Sequence, residues 1–143
     1  VTYAGQAAMR LEQVAMLTDR SYRWDVADGS PMVIDAAPVI DAIVQDRRRG
    51  VGVDVIAGAF HRSVAELIVD VAQRVAARTG IRAVALTGGV MQNRLLVELA
   101  VPGLVAVGLT PLLHGQVPPN DGGISLGQVA IGRAMLAGSI AEA

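Results

Sequence analysis

Ala83-Val84-Ala85-Leu86-Thr87-Gly88-Gly89-Val90-Met91-Gln92-Asn93 reads as a short apolar strand, a tight turn at two glycines and the opening of a helix. The amphipathic segments around it can all be read as packing onto that strand or onto its neighbours in one sheet. In an α/β sheet, the carboxyl end of a strand that leads into a helix is where ligands usually sit. Gly88 and Gly89 lack Cβ atoms, so a flat or phosphorylated ligand can approach their backbone closely. The free N–H groups that open the following helix favour negative charge. A lone Gly-Gly much more often serves only a plain strand-to-helix turn, so the rest of the chain has to decide.

Downstream, Met91 to about Val107 has helical spacing, with a kink or split expected at Pro102-Gly103. Leu109 to His114 suits an edge strand because of Pro111. Residues 116–123 form a rigid loop, and a last helix runs from about Gly122 to Ala137. Upstream, the longest helix is expected over Val55 to Arg78, ended by Gly80. Phe60, Val64, Leu67, Ile68, Val71, Val75 and Ala76 form its apolar stripe, with His61 beside it. A lone helical histidine more often serves the surface or the packing than a ligand. Asp35 is a candidate N-cap for a helix that reaches Arg49, with Pro38 in its first turn. Arg47-Arg48-Arg49 then reads as a solvated helix end that complements the macrodipole. Ser21–Val26 and Met32–Ile34 read as a hairpin around a Gly-Ser-Pro turn, and Ala4–Leu17 as a helix. With no internal repeat and no long linker, residues 1–143 are expected to be one α/β domain.

Hydrophobic residues make up 52% of the 143 and aromatic residues only 3%, so Val, Ile, Leu, Met and Ala must build the core. A net charge of −1 announces no basic face, and nucleic acid is not expected as a partner. The absence of cysteine excludes disulfides and thiolate metal sites. No apolar run reaches the roughly 18 residues of a membrane span, so no membrane partner is expected and a cytoplasmic location fits. Val1 is not an initiator methionine, which suits a piece of a longer chain.

Asp121 is the acid of most interest. It follows Pro118-Pro119-Asn120 and precedes Gly122-Gly123 and an apolar helix. Position alone favours an N-cap. The functional alternative is a ligand to a hard metal or a neighbour of phosphate. Asn93 either caps its helix or reaches a ribose or amide, with capping favoured. His61 and His114 are the only histidines, far apart and without an i, i+4 partner. There is no G-x-x-x-x-G-K-S/T phosphate loop.

Thr87-Gly88-Gly89-Val90-Met91-Gln92-Asn93, followed by Pro118-Pro119-Asn120-Asp121-Gly122-Gly123-Ile124-Ser125-Leu126-Gly127-Gln128, strongly resembles the carboxy-terminal end of HypF-type carbamoyltransferases, which mature nickel–iron hydrogenases. Tyr3 to Ala8, Leu11-Glu12 and Ala57 to His61 resemble further pieces of that family pattern. The resemblance covers nearly the whole chain, and the second motif is long and specific.

The resemblance implies the second lobe of an actin-like, sugar-kinase-like (ASKHA) ATPase fold of the Kae1-like type, a mixed sheet with packed helices. It implies nucleotide contact at Gly88, Gly89, Val90 and Asn93. It also implies a divalent metal (Mg, Fe or Zn) on Asp121, with a histidine pair supplied by the first lobe of the same protein. The implied reaction uses ATP and carbamoyl phosphate to form carbamoyl adenylate, then transfers the carbamoyl group to the carboxy-terminal cysteine of HypE. The family usually has Glu where this chain has Ala4. Two other readings stand beside this one. One is a tRNA threonylcarbamoyl or O-carbamoyl transferase, against which the Pro-Pro-Asn-Asp-Gly-Gly loop argues. The other is a truncated, non-catalytic module that binds a nucleotide or a partner. The lobe face left bare is expected to favour self-association.

Overall fold

A computed structural model describes residues 2–3 and 5–138. Ala4, the position where the family pattern has Glu, lies outside them. The elements run α1 (Gln6–Val14), β1 (Asp25–Ala27), β2 (Val33–Asp35), α2 (Ala37–Arg48), α3 (Val53–Thr79), β3 (Ala83–Ala85), α4 (Arg94–Ala106), β4 (Thr110–Leu112) and α5 (Ile124–Leu136). Short 3-10 turns at Gly89–Gln92 and Asp121–Gly123 lead into α4 and α5. The chain is α/β as expected, but the single sheet is not observed. β1 and β2 pair antiparallel, and β3 and β4 form a separate parallel pair, with α4 as the crossover.

α3 is the axis of the molecule. Its 27 residues end at Gly80, whose φ of 75° is a left-handed cap that a side chain would strain. Its amino-terminal half packs with Tyr22 and Val39, its middle with Leu96 and Ala100, and its carboxyl half with Leu86, Leu104 and Leu109. The most buried positions of α3 are small or polar (Ala57, Ala59, Ser63, Ala65 and His61), whereas the large residues of the expected stripe are only partly covered. Small residues win there because backbone segments press directly on the helix. A Cβ at Gly58 would overlap the Met16 carbonyl oxygen, in a segment tied to α3 by the Met16 N–H to Asp54 O bond of 3.0 Å. Gly58→Ala is therefore expected to destabilise the chain by about 2 kcal/mol, read from urea unfolding midpoints.

Residues 21–24 do not extend β1 as expected. The Tyr22 N–H donates to Ser63 Oγ at 2.6 Å, and Trp24 Nε1 donates to the Ser63 carbonyl at 3.0 Å. The segment lies against α3, with its backbone donor taken by a helix side chain. Tyr22 Oη and Arg20 both donate to the buried Asp46 of α2 (3.1 and 2.6 Å), and burial together with that carboxylate pushes the phenol pKa up. At α2 the cap residue is Ala36 rather than Asp35, yet the Asp35 carboxylate still accepts the Ala37 N–H at 2.9 Å.

Pro102 does not split α4, which is continuous through it. The reason lies next door, where Gly103 faces α3 so closely that a Cβ would come within 2.8 Å of a Val69 methyl. Packing against α3 holds the turn that proline weakens. Among the described residues, no helix is long and apolar enough to cross a membrane.

Candidate nucleotide and metal site

β3 and β4 pair in register, Ala83 with Thr110, Val84 with Pro111 and Ala85 with Leu112. Continuing that register by two residues sets Thr87 opposite His114. Thr87 Oγ1 and His114 Nε2 share a hydrogen bond of 2.9 Å. Sequence reasoning missed this pair. Its signal was available in the constant offset between the two strands, but a parallel offset cannot be read without knowing that the strands pair.

Just beyond Thr87, Gly88 adopts φ 94° and ψ 161°, which only glycine enters without strain. Its N–H donates to the Pro119 carbonyl at 2.8 Å, joining the glycine turn to the Pro-Pro-Asn-Asp loop. Thr87, Gly88, His114, Pro119 and Asp121 thus line one open cavity of about 390 Å³ at the carboxyl ends of both strands. Gly89, Val90 and Asn93 are not in its walls. Gly89 has open space where a Cβ would be, and Val90 is exposed.

The start of α4 departs from expectation. A 3-10 turn occupies Gly89–Gln92, and Asn93 is the N-cap, its Oδ1 accepting the Leu96 N–H at 2.8 Å. The Arg94 and Leu95 N–H groups both donate to Glu12 Oε1 of α1, at 2.7 and 3.2 Å. The expected free N–H groups at this helix start are therefore engaged, and the negative charge they attract is the Glu12 carboxylate. A phosphate at this site would meet the glycine turn and the Asp121 loop rather than the α4 terminus.

Asp121 is not an N-cap. Asn120 caps the Asp121–Gly123 turn, its Oδ1 accepting the Gly122 N–H at 3.0 Å, and the cap residue of α5 itself is Gly123. The exposed Asp121 carboxylate makes no hydrogen bond or ion pair among the described residues, so its oxygens are free to accept a cation. Among those residues, no group of three His, Cys, Asp or Glu could hold a metal. Asp121 by itself offers hard oxygen donors of the kind a divalent cation takes, from one residue only.

His61, expected beside the buried face of α3, lies within it at 4% exposure and contacts Asn93.

A family model described as "Carbamoyltransferase, Kae1-like Domain, second subdomain" matches residues 1–128. The chain is 37% identical over 132 residues to carbamoyltransferase HypF of Synechocystis sp., covering 90% of this chain and 16% of that protein. It is 36% identical over 135 residues to carbamoyltransferase HypF of Rhodobacter capsulatus, covering 94% and 17%. A crystal structure of full-length HypF in the phosphate- and nucleotide-bound form is similar at a TM-score of 0.90 and 34% identity, covering 95% of this chain and 18% of that one. T. kodakarensis HypF is similar at a TM-score of 0.79 and 26% identity, covering 97% and 18%. The chain therefore spans 16–18% of the length of these relatives.

Proposed function

The chain belongs to the HypF carbamoyltransferase family as its second Kae1-like subdomain, and on that premise we propose that it forms one wall of a nucleotide cleft for ATP-dependent carbamoyl transfer. In this reading carbamoyl phosphate and ATP yield a carbamoyl adenylate, and the carbamoyl group passes to the carboxy-terminal cysteine of HypE during hydrogenase maturation. The finer fold assignment, the second lobe of an actin-like ATPase, belongs to the same proposal. The observation that carries it is the Gly88 N–H to Pro119 O bond of 2.8 Å, which brings both family motifs to the rim of one open cavity.

In this reading each residue of the chain takes a role that its position permits. Gly88 offers bare backbone to an adenosine in the cavity, Gly89 does so beside it but outside its walls, and His114 and Thr87 set a polar floor. Asp121 would hold a divalent cation together with ligands of the first subdomain, and such a cation would neutralise phosphate charge. An exposed, shallow wall suits a site that closes only when a second lobe covers it, because an acyl adenylate survives where water is excluded.

The test uses a chimera in which this chain replaces the matching segment of the Synechocystis relative. Gly89→Val is the probe, since Gly89 has room for a side chain in this fold and Gly88 does not tolerate one. Calorimetric ATP affinity is expected to fall at least tenfold, about 1.4 kcal/mol, with thermal stability unchanged. Wild-type affinity in the folded variant would remove the nucleotide role of the turn. Offering HypE or tRNA to the chimera separates this reading from a tRNA-modifying one.

A further inference from the structure

We propose that His61, acting through Asn93, is a positioning residue that holds the Gly88–Gln92 turn in its ligand-binding shape. The proposal rests on the nucleotide reading of that turn. His61 is buried in α3, and its Nδ1 lies 2.8 Å from the Ala57 carbonyl oxygen. A carbonyl can only accept, so Nδ1 carries the proton, and in the neutral ring Nε2 is an acceptor. Asn93 Nδ2 meets that acceptor at 2.8 Å. The contact fixes which way round the Asn93 amide stands. With its nitrogen on His61, its oxygen faces the Leu96 N–H and caps α4. A rotated amide would set oxygen against the bare Nε2 and N–H against N–H, and lose both bonds.

The backbone of the turn hangs on the same residue. The Asn93 N–H donates to Val90 O at 3.1 Å, and the Met91 N–H donates to Gly88 O at 3.0 Å. At its other end the Gly88 N–H is held by Pro119 O. The turn is thus strung between two anchors, the Asp121 loop on one side and His61 on the other. A leucine at position 61 would fill much of the same space, but it could not receive the Asn93 N–H. Releasing that anchor spreads the turn over other shapes, and apparent affinity falls by the fraction that remains competent.

The experiment compares His61→Leu, which removes the acceptor, with His61→Gln, whose side-chain carbonyl can restore it. In the 15N-labelled 143-residue chain without ligand, His61→Leu is expected to shift and broaden the Gly88–Gln92 amides and the Asn93 side-chain amide, and His61→Gln to leave them close to wild type. In the chimera, ATP affinity is expected to fall about tenfold for His61→Leu and to stay within about threefold for His61→Gln. Unmoved turn amides in His61→Leu, or equal losses in both variants, would make His61 a packing residue and overturn the proposal. The ring-nitrogen spectrum of the wild-type chain needs no variant, and a neutral His61 with its proton on Nε2 overturns the proposal by itself. A wild-type chimera without ATP affinity would strike the nucleotide reading instead, and the ligand-free spectra would still decide whether His61 shapes the turn.

Discussion

Asp121→Asn in the chimera is expected to lower carbamoyl transfer to HypE by about 100-fold or more and to reduce bound divalent metal, measured by elemental analysis. The substitution is clean because the carboxylate has no other task among the described residues. Capping of the Asp121–Gly123 turn is done by Asn120, and the Asp121 side chain makes no hydrogen bond or ion pair among those residues. The one stabilising contribution it forfeits is a negative charge near the amino end of α5, at most about 1 kcal/mol at an exposed site. A large loss of turnover with an almost unchanged melting temperature is therefore the signature of a metal ligand. Full turnover and metal content in Asp121→Asn would leave the residue as a helix-end charge and nothing more.

What the sequence disclosed, and what it hid, divides along the range of the interactions. The strand over Ala83–Ala85, the turn at Gly88, and the stop of α3 at Gly80 are legible because each is set by local apolar pattern and by glycine backbone freedom. The capping role favoured for Asn93 holds for the same reason, since the donating N–H of Leu96 lies three residues away. Glu12 is different. It reaches the first N–H groups of α4 across 82 residues, and no periodicity announces such a contact. Tyr22 and Trp24 alternate as a strand would, yet their donors go to Ser63 of α3, about forty residues on. His61 and His114 looked isolated because a sequence shows neither the Asn93 amide nor the Thr87 hydroxyl that faces them. The candidate site was thus half legible, in its glycine turn and its Asp121 loop. The polar contacts that hold those pieces in place come from tertiary structure.

The isolated 143-residue chain is expected to transfer no carbamoyl group to HypE. Its cavity is open on one side, and its described residues hold a single carboxylate where a metal site needs several ligands. A small molecule that touches one wall leaves most of its surface in water, whereas a productive pocket covers roughly 70–90% of it. Nucleotide affinity should accordingly be about millimolar, near 4 kcal/mol of binding free energy. The chain also bares apolar surface. Leu67, Val71, Val75, Ile81 and Val84 line an uncovered groove beside β3, and α5 buries none of its residues. Surface of that kind favours self-association, so light scattering is expected to show the mass rising with concentration. The decisive measurement incubates the purified chain with HypE, ATP and carbamoyl phosphate and weighs HypE by mass spectrometry. A carbamoyl adduct on HypE, absent without the chain, would show that this one wall is a complete catalyst. Its absence here, with turnover restored in the chimera, would place the chemistry in the cleft that two subdomains make between them.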